Sequence, residues 1–223
     1  MNKDLFFQAA GKFALGVVTI GLLLFWPAGT IRYWNAWLLM GVLLLPMLAV
    51  GIVMMLKNPE LLRKRLNAKE KQGEQSRIIK WSGCMFLLGF VCAGLDFRFQ
   101  WIALPDWVSW VAAMLFVAGY LLYAEVLREN AYLSRTIEVQ ENQKVIDTGL
   151  YGIVRHPMYG ATLLLFLSMP LVLGSLISFV IFCAYPVLIA RRIRHEEAVL
   201  ERELEGYAEY KEKVKYRLIP FVW

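Results

Sequence analysis

Two short stretches gather the residue types able to do chemistry. Residues 140–159 read QENQKVIDTGLYGIVRHPMY, ending in Arg155-His156-Pro157-Met158-Tyr159, and residues 191–197 read RRIRHEE. His156 and His195 are the chain's two histidines, and imidazole is the side chain best matched to proton transfer near neutral pH. Arg192 and Glu196 stand at i, i+4, so on a helix they share one face and can pair. Gly149 and Gly152 permit turns that a β-carbon resists. His156 precedes a proline and is biased toward extended backbone, which places a helix start at Pro157.

The elements that must carry these residues are membrane helices. Of 223 residues, 59% are hydrophobic, above the roughly 45–50% of soluble domains. Apolar runs near the length of a bilayer crossing lie at about 13–26, 34–56, 81–95 and 107–127. The first has no small-residue cleavage site ahead of a polar mature segment, so it reads as a span and not a cleaved signal. A fifth run, 159–189, is too long for one span and too short for two. Pro170 and Leu173-Gly174-Ser175 break it, which predicts a helix–turn–helix hairpin with no charge between His156 and Arg191. The expected fold is all-α and polytopic: about six membrane helices, four spans plus the C-terminal hairpin, and a cytoplasmic C-terminal helix over 191–215. Two regions are expected, 1–94 with an amphipathic linker at 57–80 and 95–223 with the chemistry.

Charge placement sets the predicted orientation. Residues 1–12, 57–80, 128–158 and 191–223 hold 22 of the 24 lysines and arginines, and the alternate loops hold only Arg32 and Arg98. By the positive-inside rule the N- and C-termini are both cytoplasmic, in a multi-pass integral membrane protein. The net charge of +6 is then topological, and nucleic acid drops out as a partner; membrane lipids remain. The 57–80 linker, with Leu61, Leu62 and Leu66 at helical spacing, reads as a surface helix touching anionic lipid. Cys84, Cys92 and Cys183 lie inside apolar runs without metal-ligand spacing, so no metal site is expected. Nucleotide and hydrolase signatures are absent, so any nucleotide-like cofactor must sit among membrane helices and their short loops.

Each chemical stretch also has a plain reading. The first can be a juxtamembrane loop, with Arg155 and His156 facing headgroups and Tyr159 in the interfacial aromatic belt. The second can be a basic anchor leading into a solvated, salt-bridged helix. That explains less well a glutamate pair so near the end of a span, where carboxylates are costly without partners.

Arg155-His156-Pro157-x-Tyr159, a hydrophobic block, then Glu196-Glu197 resembles the isoprenylcysteine carboxyl methyltransferases, whose wider superfamily includes phospholipid N-methyltransferases. Gly206-Tyr207-x-x-Tyr210 followed by Tyr216-Arg217-Leu218-Ile219-Pro220 fits the same group. Leu95-Asp96-x-Arg98-Phe99 resembles its bacterial members, which points to a bacterial inner membrane. The resemblance covers about 95–223, with Ala161 standing where the prenylcysteine enzymes usually carry glycine. It implies S-adenosyl-L-methionine held by Gln140, Gln143, Lys144, Val145, Ile146, Tyr151, His156, Pro157, Met158, Tyr159 and Glu196. It implies Arg192 on the substrate's acidic group, Arg192 and Glu196 as the catalytic pair, and methyl transfer to a lipidic or prenylated small molecule. The acceptor is a prenylcysteine-like carboxylate or another head group, a phospholipid amine among them. Alternatively, a membrane reductase of related architecture would use NADPH on an isoprenoid- or sterol-like double bond.

Overall fold

The computed structural model describes residues 3–67, 73–130, 132 and 139–223, and the described elements are helical. In chain order they are α1 (Lys3–Ala28), α2 (Trp34–Lys57), α3 (Pro59–Asn67), α4 (Gly73–Phe99) and α5 (Asp106–Glu129). A single 3-10 turn (Gly149–Gly152) precedes α6 (Pro157–Val172), α7 (Leu176–Phe182), α8 (Tyr185–Glu203) and α9 (Tyr207–Lys213). Five helical stretches are long and apolar enough to cross a membrane: α1, α2, α4, α5 and the composite of α7 and α8. The four expected spans and the hairpin are all present. The helices outrun their apolar runs because polar turns continue them past the hydrocarbon boundary, as in α4, which begins eight residues before Trp81.

The hairpin is asymmetric. At 1.5 Å per residue, α6 reaches about 24 Å, short of the roughly 30 Å of a hydrocarbon core. Its C-terminal carbonyls therefore end inside the protein and need partners. Ser109 Oγ donates to Leu171 O at 3.1 Å, Asn35 Nδ2 to Val172 O at 3.2 Å, and the Tyr33 hydroxyl to Leu173 O at 2.6 Å. Ser175 Oγ, which caps α7, donates to the buried Asp96 carboxylate at 2.6 Å. Three other elements thus hold the turn in place. The returning leg breaks at Cys183-Ala184 and restarts with Pro186 in the first turn of α8.

Close helix contacts assemble the bundle. α5 packs along α6, α1 against α4, and α4 against α7. Gly119 lets α6 approach α5, since a β-carbon there would stand 2.9 Å from Leu165 Cγ. The outer surface is apolar, with Leu15, Leu22, Met114 and Leu121 well exposed, as lipid-facing residues are. One end of the bundle gathers the start of α1, α3, the end of α5, the 139–156 loop and the end of α8. There Lys12 Nζ bonds Leu66 O and Arg65 Nη1 approaches the Tyr123 hydroxyl. In the amphipathic linker Leu62 is buried; residues 68–72 and the Leu61 side chain lie outside the described residues.

The expected continuous helix over 191–215 is instead two. α8 stops at Glu203, and Gly206, with φ +81°, turns the chain before α9. Glycine adopts that left-handed backbone without a steric penalty. The turn folds α9 back on α8, where Leu204, Tyr207, Tyr210 and Val214 form a small second core with Val139, Val145 and Leu200.

Candidate active site

Pro157 starts α6 with its fixed φ, and His156 is the residue before it, buried with Arg155. One helical turn into α6, the Tyr159 hydroxyl donates to Glu196 Oε2 at 2.5 Å and accepts from Arg192 Nε at 2.9 Å. Arg192 and Glu196 do share a face of α8, and the tyrosine from α6 stands between them. The outgoing and returning legs of the hairpin meet at this phenol, and again where the Tyr185 hydroxyl donates to Thr162 Oγ1 at 3.0 Å.

Glu197, next along α8, faces elsewhere and is 3% exposed. It accepts from Arg155 Nε at 2.8 Å, from His156 Nε2 at 3.2 Å and from Arg217 Nε at 2.7 Å. Two cations and an imidazole around one carboxylate satisfy a group that would otherwise be costly to bury. Arg155 continues outward, its Nη1 donating to Val214 O and Lys215 O. Backbone bonds from Arg155 N to Tyr216 O and His156 N to Arg217 O lay the C-terminal strap against the start of α6. Arg217 also lies over the Trp223 ring, 5.4 Å from its centroid.

The loop before α6 is fixed from below. Glu129 Oε2, at the end of α5, accepts from Leu150 N at 3.0 Å. Gly149 has φ +51°, and a β-carbon there would fall 1.4 Å from Glu129 Oε1. Asn130 Nδ2 donates to the Tyr151 hydroxyl, and the Tyr210 hydroxyl donates to Tyr151 O. Gln140 Nε2 donates to Tyr132 O, and Gln143 Oε1 accepts from Gln140 N. Burial raises the Tyr151 hydroxyl to about 12 and pushes those of Tyr207 and Tyr210 further up, with Glu197 a lesser cause for Tyr207. All three stay neutral donors across ordinary pH.

These groups line one cavity with an open mouth. Of the residues predicted from sequence, Gln143, Lys144, Val145, Ile146, Tyr151, His156, Met158, Tyr159, Arg192 and Glu196 line it. Gln140 and Pro157 are not lining residues: Gln140 ties the loop from behind, and Pro157 is buried as the first residue of α6. His195 is not among the lining residues either. Arg155 and His156 do not face headgroups; both are interior partners of Glu197. Sequence reasoning missed Asn130, Tyr132, Arg155, Leu200, Leu204, Tyr207 and Tyr210, which complete the lining. The three-residue spacing of Tyr207 and Tyr210 after Gly206 was a usable signal for one helix face; Asn130 left none.

The described residues offer a ligand tyrosine faces, the Glu196 carboxylate, the cations Lys144, Arg155 and Arg192, and short loop backbone.

Residues 107–205 match the family model of the phospholipid methyltransferases. A Delta(14)-sterol reductase of Mus musculus is 32% identical over 91 residues, covering 40% of this chain and 22% of its own length. A Delta(14)-sterol reductase of Methylotuvimicrobium alcaliphilum is 24% identical over 135 residues, covering 54% of this chain and 32% of its own. The chain thus spans a third or less of the curated relatives it matches. Among solved structures, the eukaryotic intramembrane Ras methyltransferase ICMT (isoprenylcysteine carboxyl methyltransferase) superposes with a TM-score of 0.56 at 16% identity, covering 92% of this chain and 74% of that one. The fold is therefore the one seen in that membrane enzyme, and the stretch that matches the phospholipid methyltransferase model, residues 107–205, carries α5 to α8 and most of the cavity lining.

Proposed function

We propose that the protein is a membrane methyltransferase that uses S-adenosyl-L-methionine to methylate the head group of a lipidic or prenylated substrate. The observation that carries this reading is the meeting of the 143–146 loop, Tyr159 and Glu196 around one cavity within the family-matched region. The donor set suits the cofactor: a carboxylate for its amino group or hydroxyls, neutral phenols, and apolar Val145, Ile146 and Met158 for a flat base. Residues 143–146, Tyr151, His156, Met158, Tyr159 and Glu196 would hold it, with Gln140 and Pro157 acting through the loop and the helix start. The bound cofactor supplies an electrophilic methyl group on a sulfonium, transferred by in-line displacement.

The chain's own part is chiefly placement. Tyr159 holds Arg192 and Glu196 in one orientation, with the Arg192 guanidinium in the cavity lining as the group for an acidic head group. Glu197 holds the His156 ring against the strap, fixing the cavity wall. A carboxylate acceptor needs no proton removed; an amine acceptor does, and Glu196 is the carboxylate in the lining that would take it. The apolar flanks of the bundle let a lipid tail stay in the membrane while its head reaches the cavity. The distribution of 22 basic residues against 2 supports a cavity on the cytoplasmic side, with both termini; the Leu95–Phe99 pattern is the ground for a bacterial inner membrane.

Binding of S-adenosylmethionine to the purified protein in detergent tests this, with His156→Ala and Glu196→Ala as comparisons. Micromolar binding by the wild type and its weakening in both variants is the expected result; no binding by the wild type overturns the reading. Isotope-labelled methyl transfer to lipid extracts then separates carboxyl from amine acceptors. The sterol reductase matches favour a second reading, an NADPH-dependent reductase of an isoprenoid- or sterol-like double bond. A thermal shift with NADPH and none with S-adenosylmethionine would select it.

A further inference from the structure

Tyr207 stands apart from the other phenols of the cavity. It is 4% exposed, it lines the cavity, and its hydroxyl has no hydrogen-bond partner among the described residues. Each neighbouring phenol is used: Tyr132 donates to Asn142 O, Tyr151 accepts from Asn130, Tyr159 donates to Glu196, and Tyr210 donates to Tyr151 O. A buried hydroxyl left unsatisfied destabilises the folded protein, so native chains rarely keep one without a use. The ring itself is fixed, packed on Tyr210 with centroids 5.7 Å apart and on the Leu204 and Val214 side chains of the small second core.

Its surroundings narrow what the hydroxyl can meet. Burial, then the nearby Glu197 and Glu196 carboxylates, keep the phenol protonated, so it enters as a donor. Those same carboxylates disfavour an anionic acceptor, with the Arg155 cation the opposing charge. Tyr207 lies on α9, beyond the end of the composite membrane helix at Glu203, and close to the loop that carries Val145. A water-soluble ligand reaches that corner more readily than a lipid tail does.

We propose that Tyr207 is a ligand-contacting residue of the cavity, its hydroxyl donating a hydrogen bond to a neutral acceptor atom of the bound methyl donor. This rests on the methyltransferase reading. The folded protein without ligand carries an unspent donor, and ligand binding satisfies it. The hydroxyl therefore acts in opposite directions on stability and on affinity, which a packing role alone does not do.

Tyr207→Phe keeps the ring and removes the donor. Measured by calorimetry in detergent, its Kd for S-adenosylhomocysteine, the demethylated product form, is expected to rise about tenfold, as for the loss of one good hydrogen bond. The ligand-free melting temperature is expected to stay level or rise. Tyr210→Phe, which loses its bond to Tyr151 O, is the contrast: its ligand-free melting temperature falls. An unchanged Kd in Tyr207→Phe overturns the proposal. So does a fall in its ligand-free melting temperature equal to that of Tyr210→Phe, because the hydroxyl would then have a partner before ligand arrives. Absence of binding by the wild type would instead remove the methyltransferase reading, and the ligand-free melting comparison would still report whether the hydroxyl is unspent.

Discussion

Arg155 Nε lies 2.8 Å from Glu197 Oε1, an ion pair with both side chains 4% exposed that ties the loop before α6 to the last turns of α8. Arg217 reaches the other oxygen of the same carboxylate from the C-terminal strap. One glutamate therefore joins three segments that are remote in sequence.

Removing one member of a buried pair leaves the other charge uncompensated, at a cost of about 3–5 kcal/mol. Glu197→Ala is expected to lose stability on that scale, and Arg217→Ala, which is part-exposed, clearly less. Thermal unfolding in detergent checks the order. Limited proteolysis should cut Arg217→Ala near residues 216–223 before the wild type is cut there.

Gly149→Ala sets a β-carbon into the Glu129 carboxylate and imposes a left-handed backbone on a residue that resists it. We expect a loss of about 2 kcal/mol or more and a weakened ligand site. Glu129→Ala should recover part of the steric loss when combined with Gly149→Ala. A strictly additive double variant would show that the two residues do not meet.

Tyr159→Phe removes the phenol oxygen that bridges Arg192 and Glu196 while keeping the ring. Its methyl-transfer rate with lipid extract is expected to fall about tenfold or more. A rate equal to the wild type would show that Arg192 and Glu196 need no bridge.

Burial raises Tyr151 to about 12, and Tyr207 and Tyr210 further. Their folded values exceed the unfolded value near 10, so the unfolded chain releases these protons first. The stability they contribute is complete below pH 10 and declines as pH rises from there through 12. Melting temperatures should show that decline, and Tyr151→Phe should make it shallower.

The long apolar segments, the hairpin and its break at 173–175 were legible because membrane helices announce themselves by apolar length and by glycine and proline at their ends. The Arg192–Glu196 face was legible from spacing alone. The break after Glu203 was not, because the surrounding residues favour helix and only packing of Tyr207 and Tyr210 onto Leu204 and Val145 rewards the turn at Gly206.

The sequence by itself determined which segments cross the bilayer and which residue types stand at their ends, since hydrophobic length and charge placement act locally along the chain. Only the tertiary structure decided how those ends combine. A carboxylate's partners are chosen by distance through space, and nothing near Glu197 in sequence marks Arg155, His156 and Arg217 as its partners. The same holds for Tyr159, which sits between Arg192 and Glu196 because the short α6 packs against α8 once its far end is tied by Tyr33, Asn35 and Ser109.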